Sequence, residues 1–327
     1  MKTIKKILAV LLSVCLAFAV FAGCSKEKTT KVAILQYMPH TSLDNCTQGL
    51  KNSLDKAGIA YDVQIGSSGS ADADCQSYAE QFASGGYDLI IAVATPAAVS
   101  AYSAVQNSGK SIPVIFCAVS DPVTPGLVKS MDNPGNNCTG TSDSIDIKGQ
   151  VQLIKTLQPT LKSLGVIYTT TESNSLSQLE TLQTECDENG IELKKVGINE
   201  ASELPAVATD LATKVDAITN LTDNNVVDNM SSVLEQAKVN SIPVYGSEIE
   251  QVKKGCLASA SIDYVALGEK TGDMAVEVLG GKDASTYPVV TVSDSFLVVN
   301  TDVASELQIA IPESMGDVEK VTTTVKA

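Results

Sequence analysis

The sequence predicts an α/β protein made of two similar doubly wound parallel-sheet domains around a ligand cleft. Three observations predict this class. Short apolar runs alternate with longer segments of helical period from Lys31 onward, which is typical of βα units. Several landmarks recur in the same order in the two halves of the chain. The 327 residues are also enough for two domains of ordinary size.

The first half is predicted to hold four strands separated by helices. Gly58 is expected to cap the helix that ends at Ala57. The run that begins at Asp88 is apolar after its first residue, as in a central parallel strand. Thr95 is predicted as the N-cap of the next helix, with Pro96 at its first position. The predicted strands are 31–36, 61–65, 88–94 and 112–118, and the predicted helices include 43–57 and 75–82.

The second half repeats this order. The run that begins at Asp216 matches the one at Asp88, and Thr222 falls where Thr95 fell. Residues 241–244, Ser-Ile-Pro-Val, repeat residues 111–114 letter for letter. The remaining predicted strands are 164–168, 192–196, 216–221, 257–262, 289–292 and 295–300, and the helices are 177–189 and 264–279.

The domains are predicted to be discontinuous. We expect residues 31–141 and 249–281 to form the first domain, and residues 142–248 and 282–327 to form the second. The carboxyl ends of both sets of strands would then face one cleft, where open α/β sheets bind their ligands.

The N-terminus predicts export and anchoring. Residues 1–6 are basic, residues 7–21 are apolar, and Ala-Gly precedes Cys24, which is typical of a secretory signal. The cysteine after Ala-Gly resembles the bacterial lipobox, so we expect a signal peptide over 1–23, lipidation of Cys24 and a tether over 24–30. The alternatives are an ordinary signal peptide, or a single membrane anchor for which the apolar run is short. The predicted location is extracytoplasmic, lipid-anchored to the bacterial cell membrane.

Composition excludes several classes of function. Loss of the three lysines of residues 1–23 changes the formal charge from −15 to −18, which disfavours nucleic acid and anionic lipid as partners. No arginine is present, so a ligand carboxylate would be held by backbone N–H groups, hydroxyls or a lysine. One histidine and unpaired cysteine spacing predict no metal site. Nucleophile-elbow, dinucleotide and P-loop motifs are absent, so we expect neither an enzyme nor a cofactor.

Candidate ligand-binding residues follow the predicted strands as short polar loops. They offer hydroxyls and helix N-terminal N–H groups to a carboxylate, and acids to an ammonium group. The alternative for each is a helix cap or a turn. The candidates are Thr95, Pro96, Ala97, Ser120, Asp121, Ser173, Asn174, Ser175, Thr222, Asp223, Asn224, Glu248 and Asp263, with Tyr37 and His40 as weaker ones.

Several local strings together resemble one family. They are 94–98 (ATPAA), 116–123 (FCAVSDPV), 172–175 (ESNS), 222–224 (TDN), 243–248 (PVYGSE) and 262–268 (IDY-x-x-LG in pattern). Over roughly residues 31–312 the chain is similar to ABC transporter substrate-binding lipoproteins of the tryptophan/tyrosine-type group. The resemblance implies a type I periplasmic-binding-protein fold, with ligand loops at residues 95–97, 120–121, 173–175 and 223–224 and at Glu248 and Asp263. Pro39 stands here where the family usually has a glutamate beside the histidine.

The predicted function is capture of a small ligand, an amino acid and perhaps an aromatic one, for delivery to an ABC permease and its ATPase. The ligand carboxylate would meet 95–97 or 173–175, and its ammonium would meet Asp121, Asp223, Glu248 or Asp263. The alternatives are a ligand sensor for a membrane receptor, and binding of a nucleoside or a sugar.

Overall fold

A computed structural model describes residues 30–69, 71–292 and 295–324 of the chain. These residues form two open β-sheets flanked by helices. The predicted signal peptide, Cys24 and the tether up to residue 29 lie outside the described residues. Residues from Lys31 onward belong to one compact unit. Within the described ranges, no helix has the length and apolarity needed to cross a membrane.

The first sheet is wholly parallel. Its strands are β1 (Lys31–Gln36), β2 (Ala60–Ile65), β3 (Leu89–Val93), β4 (Val114–Cys117), β5 (Cys138–Ser142) and, late in the chain, β11 (Val290–Thr291). They lie in the order β11-β5-β4-β3-β1-β2. All five residues of β3 are buried, which explains its continuous apolar run.

The second sheet repeats the topology of the first. Its strands are β6 (Ser163–Thr169), β7 (Glu192–Ile198), β8 (Ala217–Thr219), β9 (Val244–Tyr245), β10 (Ala258–Ser261), β12 (Phe296–Asn300) and β13 (Glu319–Val321). The order is β13-β12-β10-β9-β8-β6-β7, and neighbours are parallel except β10 and β12. The order β7-β6-β8-β9-β10 is that of β2-β1-β3-β4-β5, so the prediction of two similar doubly wound sheets is confirmed.

The helices connect these strands. They are α1 (Thr41–Ala57), α2 (Ala71–Ser84), α3 (Thr95–Ser108), α4 (Ile147–Leu157), α5 (Ser173–Glu188), α6 (Leu204–Ala212), α7 (Asn224–Asp228), α8 (Met230–Val239), α9 (Ile249–Lys254), α10 (Tyr264–Leu279) and α11 (Thr301–Glu306). Gly58 caps α1 with a left-handed φ of 69°, as predicted. The strand predicted over 112–118 shortens to Val114–Cys117, since Pro113 has no N–H to donate. β5 was not predicted, because this buried strand is made of small residues.

Strand pairing differs from the predicted domain division in two places. β10 was assigned to the first domain, but it pairs with β9 and β12 of the second sheet. The short α9 connection keeps β10 beside β9, and Leu257 N–H donates to the Val244 carbonyl at 2.6 Å. β11 was assigned to the second domain, but it pairs with β5 of the first sheet. Within 249–281, α10 packs on first-lobe elements, against α1, β3, β4 and β5.

We call residues 31–142 and 264–292 lobe 1, and residues 147–261 and 295–324 lobe 2. Segments 143–146 and 262–263 join the lobes, as does the connection between β11 and β12. One buried apolar cluster fills lobe 1, and two fill the faces of the second sheet.

Helices α1 and α10 pack unusually closely on one another. A Cβ atom at Gly49 would lie 2.1 Å from the Val265 carbonyl oxygen, and one at Gly268 would lie 2.1 Å from the Cys46 carbonyl oxygen. Only glycine permits this approach. The contact matters for function because the first turns of both helices reach the cavity described next.

Candidate functional site

A cavity of about 380 Å³, partly open to solvent, lies where the carboxyl ends of both sheets meet. Residues that follow β1, β3, β6 and β8 line it, among them His40, Thr95, Asn174 and Thr222. The strand order reverses between β1 and β3 and again between β6 and β8. The cavity therefore lies at the position where doubly wound sheets bind ligands.

The structure brings seven of the predicted site residues to this cavity. The sequence-predicted residues among its lining are His40, Thr95, Ser120, Asn174, Thr222, Asn224 and Glu248. The other predicted residues do not line it: Tyr37, Pro96, Ala97, Asp121, Ser173, Ser175, Asp223 and Asp263.

Three acids predicted to meet a ligand ammonium instead hold the backbone. Asp121 accepts from Val123 N–H and Thr124 N–H in an exposed turn. Asp263 caps α10 by accepting from Val265 N–H and Ala266 N–H. Asp223 caps α7 and accepts from Thr169 and from the Ser175 hydroxyl at 2.7 Å. In each case the acid stabilises a helix cap or a turn, which was the alternative to ligand binding.

The first turn of α3 reaches the cavity without a capping side chain. Thr95 is the first helical residue and Ala94 is the N-cap, so the predicted cap position is off by one residue. Since no side chain caps α3, its leading N–H groups are left for a ligand or water. Ala94 has φ 79° and Ala118 has φ 55°, and both line the cavity. Strained backbone of this kind costs about 1–3 kcal/mol and is found at functional sites.

Two buried carboxylates line the cavity. Asp143 accepts from the Ser120 hydroxyl at 2.9 Å and from the Tyr264 hydroxyl at 3.2 Å, and burial raises its pKa. Glu248 caps α9 by accepting from Glu250 N–H at 2.6 Å and Gln251 N–H at 2.8 Å. Burial raises the pKa of Glu248 to about 7.

Sequence reasoning missed Asp143, although the internal repeat held a signal for it. Asp143 follows β5 (CTGTS), whereas Asp263 closely follows β10 (ASAS), the equivalent strand in the second half. Asp263 was singled out because its strand was predicted. Asp143 was not, because β5 has no large apolar residue that would indicate a strand.

Glu172 is the other missed residue, and it organises the second-lobe side of the site. Its buried carboxylate accepts from the side-chain amide of Asn174 at 3.2 Å and from the backbone and side chain of Asn224 at 3.0 and 2.6 Å. Asn225 donates to it twice more, at 3.2 Å each. Burial, and then the nearby Asp223 carboxylate, raise the pKa of Glu172 to about 8.

Side-chain hydrogen bonds join the lobes across the cavity. Ser120 and Thr222 share one between hydroxyls at 2.9 Å. His40 Nε2 lies 3.2 Å from Asn224 Oδ1. Because the Asn224 amide nitrogen donates to Glu172, its oxygen faces His40, so Nε2 carries the proton. Burial lowers the pKa of His40 to about 4, so the ring is neutral.

Two buried acceptor atoms at the cavity have no hydrogen-bond partner. They are His40 Nδ1 and Asn174 Oδ1, and both residues belong to the lining. Buried acceptors without partners are costly, so they indicate where a ligand donates.

The chain is similar to known ligand-binding proteins. The model of the ABC transporter substrate binding protein family matches residues 31–322. The "Tyrosine-binding protein" of Clostridioides difficile is 36% identical, over 93% of this chain and 92% of that protein.

Two solved structures are similar to this chain over most of its length. The ABC domain in complex with L-Trp from Streptococcus pneumonia has a TM-score of 0.84 and 33% identity, and the match covers 89% of this chain and all of that one (100%). A ligand-free, open substrate-binding protein from Clostridium difficile has 36% identity and covers 90% of this chain and 100% of its own, but its TM-score is only 0.67. The chain belongs to the ABC transporter substrate-binding protein family.

Proposed function

We propose that this protein captures an amino acid, with an aromatic side chain, between its two lobes and delivers it to an ABC permease and ATPase. Proteins of this family bind ligands outside the cytoplasm rather than convert them. The observation that supports an amino acid as the ligand is that the cavity has sites for both a negative and a positive group. It holds an uncapped helix N-terminus together with two buried carboxylates.

An amino acid satisfies both sides of this arrangement. Its carboxylate fits the first turn of α3 at Thr95, where N–H groups and the helix dipole favour negative charge. Its ammonium fits the buried carboxylates and the partnerless Asn174 Oδ1. A sugar or nucleoside supplies hydroxyls but no cation to offset the acids.

An aromatic side chain is supported by the rest of the lining and by the relatives. Leu43, Val227 and Tyr264 give the cavity apolar surface, together with Ala94 and Ala118. The relatives described above bind tyrosine or were solved with L-Trp.

A binding screen tests the proposed function. L-Tryptophan, L-tyrosine, neutral aliphatic amino acids, glucose and adenosine are titrated by calorimetry, and the melting temperature is measured with each. We expect an aromatic amino acid at 100 times its Kd to stabilise the protein by about 2.7 kcal/mol, which is roughly 5 °C or more at this size. Stabilisation by the sugar or nucleoside alone would refute the proposal.

The lipid anchor is proposed on the sequence before the described residues. With a net charge of −15 over the whole chain, the protein has no charge-based attraction to an anionic membrane, so lipid on Cys24 would keep it near its permease. We expect Cys24→Ala to move the protein from the membrane fraction to the medium while its ligand affinity changes less than twofold. Retention at the membrane would contradict the anchor, and Cys15→Ala is the matched control.

A sensor that signals to a membrane receptor is the second candidate. It shares the same capture step, so the binding screen does not separate the two. Uptake of radiolabelled ligand by cells separates them, because it falls on deletion of this protein only if the protein feeds a transporter.

A further inference from the structure

We propose that Asp143 selects ligands for their amino group by pairing its carboxylate with the ligand ammonium. This inference rests on the proposed function, because it names the group by which the same cavity distinguishes an amino acid from its deaminated analogue. The family resemblance implies no role for Asp143, because the acids expected to meet the ligand ammonium are Asp121, Asp223, Glu248 and Asp263.

Asp143 is a buried acid without a cationic partner. It lies on segment 143–146, directly after β5, is 4% exposed, and lines the cavity. None of the ion pairs among the described residues includes it. Its two partners, the hydroxyls of Ser120 and Tyr264, are neutral. A buried carboxylate is costly unless a positive charge offsets it, and the ligand ammonium would supply that charge.

The hydrogen bonds around Asp143 have a fixed direction that makes it an acceptor. Gln178 accepts from Thr222 N–H at 3.1 Å, which turns its amide nitrogen to the Thr222 hydroxyl at 2.6 Å. The Thr222 hydrogen is then directed at Ser120 Oγ, 2.9 Å away. Ser120 donates in turn to Asp143 Oδ1 at 2.9 Å. The chain of donors thus begins in lobe 2 and ends on the carboxylate.

Each Asp143 oxygen retains the capacity to accept from a ligand. Oδ1 accepts from Ser120 and Oδ2 from Tyr264, and a carboxylate oxygen has two lone pairs. An ammonium group has three hydrogens to donate. The partnerless Asn174 Oδ1 and His40 Nδ1 are further acceptors at the same cavity.

Glu248 is the competing acid, and its surroundings differ. It already accepts two backbone N–H groups at the start of α9. Lys254 also lies near enough to lower its pKa, whereas no cation contributes to the pKa of Asp143. Glu248 therefore has positive charge and helix N–H groups from the protein itself, and Asp143 has neither.

The test is the ratio of two affinities measured by calorimetry. L-Tryptophan is compared with 3-(indol-3-yl)propionate, which lacks the amino group, on the wild type and on Asp143→Asn. We expect the wild type to prefer L-tryptophan by about 100-fold or more, as sites built to bond a ligand N–H do. In Asp143→Asn we expect this preference to fall to less than about 5-fold, through weaker binding of L-tryptophan alone.

Two variants serve as controls, and a wild-type measurement covers the case of misfolding. Asp263→Asn makes the same change at the equivalent place in the repeat, outside the cavity, and Glu248→Gln removes the competing acid. In both variants, the logarithm of the affinity ratio of L-tryptophan to 3-(indol-3-yl)propionate should stay at least half of its wild-type value. If Asp143→Asn does not fold, N-acetyl-L-tryptophan, whose amide carries no charge, is titrated into the wild type and should not bind.

The outcomes separate this inference from the proposed function. An unchanged preference in Asp143→Asn, its loss in Glu248→Gln instead, or wild-type binding of N-acetyl-L-tryptophan as tight as that of L-tryptophan would overturn the role of Asp143. If neither L-tryptophan nor L-tyrosine binds the wild type, the proposed ligand class itself fails.

Discussion

Glu172→Ala is expected to lower the free energy of unfolding by about 3 kcal/mol or more, because each buried donor left without an acceptor costs about 1–3 kcal/mol. Five N–H bonds from Asn174, Asn224 and Asn225 converge on this carboxylate. Without it, buried donors at the start of α7 and in three side-chain amides lose their acceptor. Urea unfolding of the unliganded protein measures the loss.

The same change is expected to weaken binding of the cognate amino acid by more than about 100-fold, or about 2.7 kcal/mol. Glu172 does not line the cavity, but it orients Asn174 and Asn224, which do. Asn224 is also the second-lobe partner of His40. Calorimetry under conditions where the variant is folded measures this effect.

Glu180→Ala is the matched control, because Glu180 lies on α5, the helix that Glu172 directly precedes, but is exposed. We expect it to change stability by less than about 0.5 kcal/mol. If Glu172→Ala were as stable and bound as tightly as the control, the network around Glu172 would have no energetic role.

Raising the pH from 6.5 to 8.0 is expected to destabilise the unliganded protein by about 2 kcal/mol. Burial raises the pKa of Glu172 to about 8 and that of Glu248 to about 7. In the unfolded chain both acids are already ionised in this window, so the folded state binds more protons and stability falls as pH rises.

His40 gives the opposite slope at lower pH. Its pKa falls to about 4 in the folded protein, so stability rises with pH until the unfolded-state value near 6.5 is passed. The window above 6.5 therefore isolates the acids. Urea unfolding at several pH values measures the slope, and Glu248→Gln should remove roughly a third of it. A flat profile in the wild type would contradict buried acids with raised pKa values.

A bound amino acid should flatten this slope. An ammonium beside the acids lowers their pKa values, so binding releases protons and affinity rises with pH over the same window. Calorimetry in buffers of different ionisation enthalpy reports the proton release directly.

Strongly apolar strands and repeated landmarks made the fold predictable. The runs at Asp88 and Asp216 share their position in the two halves, and this placed Thr95 and Thr222 at equivalent loops. Both residues line the cavity. A repeat is informative here because equal strand orders place equal loops at the same edge of each sheet.

The remaining misses have physical causes. A strand of small residues such as β5 gives no hydrophobic signal, so Asp143 was missed with it. Asp121, Asp223 and Asp263 have the same local pattern whether they cap a helix, stabilise a turn or meet a ligand, because each role places an acid in a polar loop after a strand. Glu172 was missed because its partners Asn224 and Asn225 lie about fifty residues further along the chain, which no local pattern reveals.

The six cysteines of the described residues are all free and buried. Their reaction with a thiol reagent therefore reports unfolding of the protein around them. A thiol reagent can reach them only when a lobe unfolds locally or globally. Cys46, Cys75, Cys117 and Cys138 belong to the lobe 1 core, and Cys186 and Cys256 to the lobe 2 cores. Labelling followed by mass spectrometry would thus measure the rate of unfolding of each lobe separately, without any introduced probe.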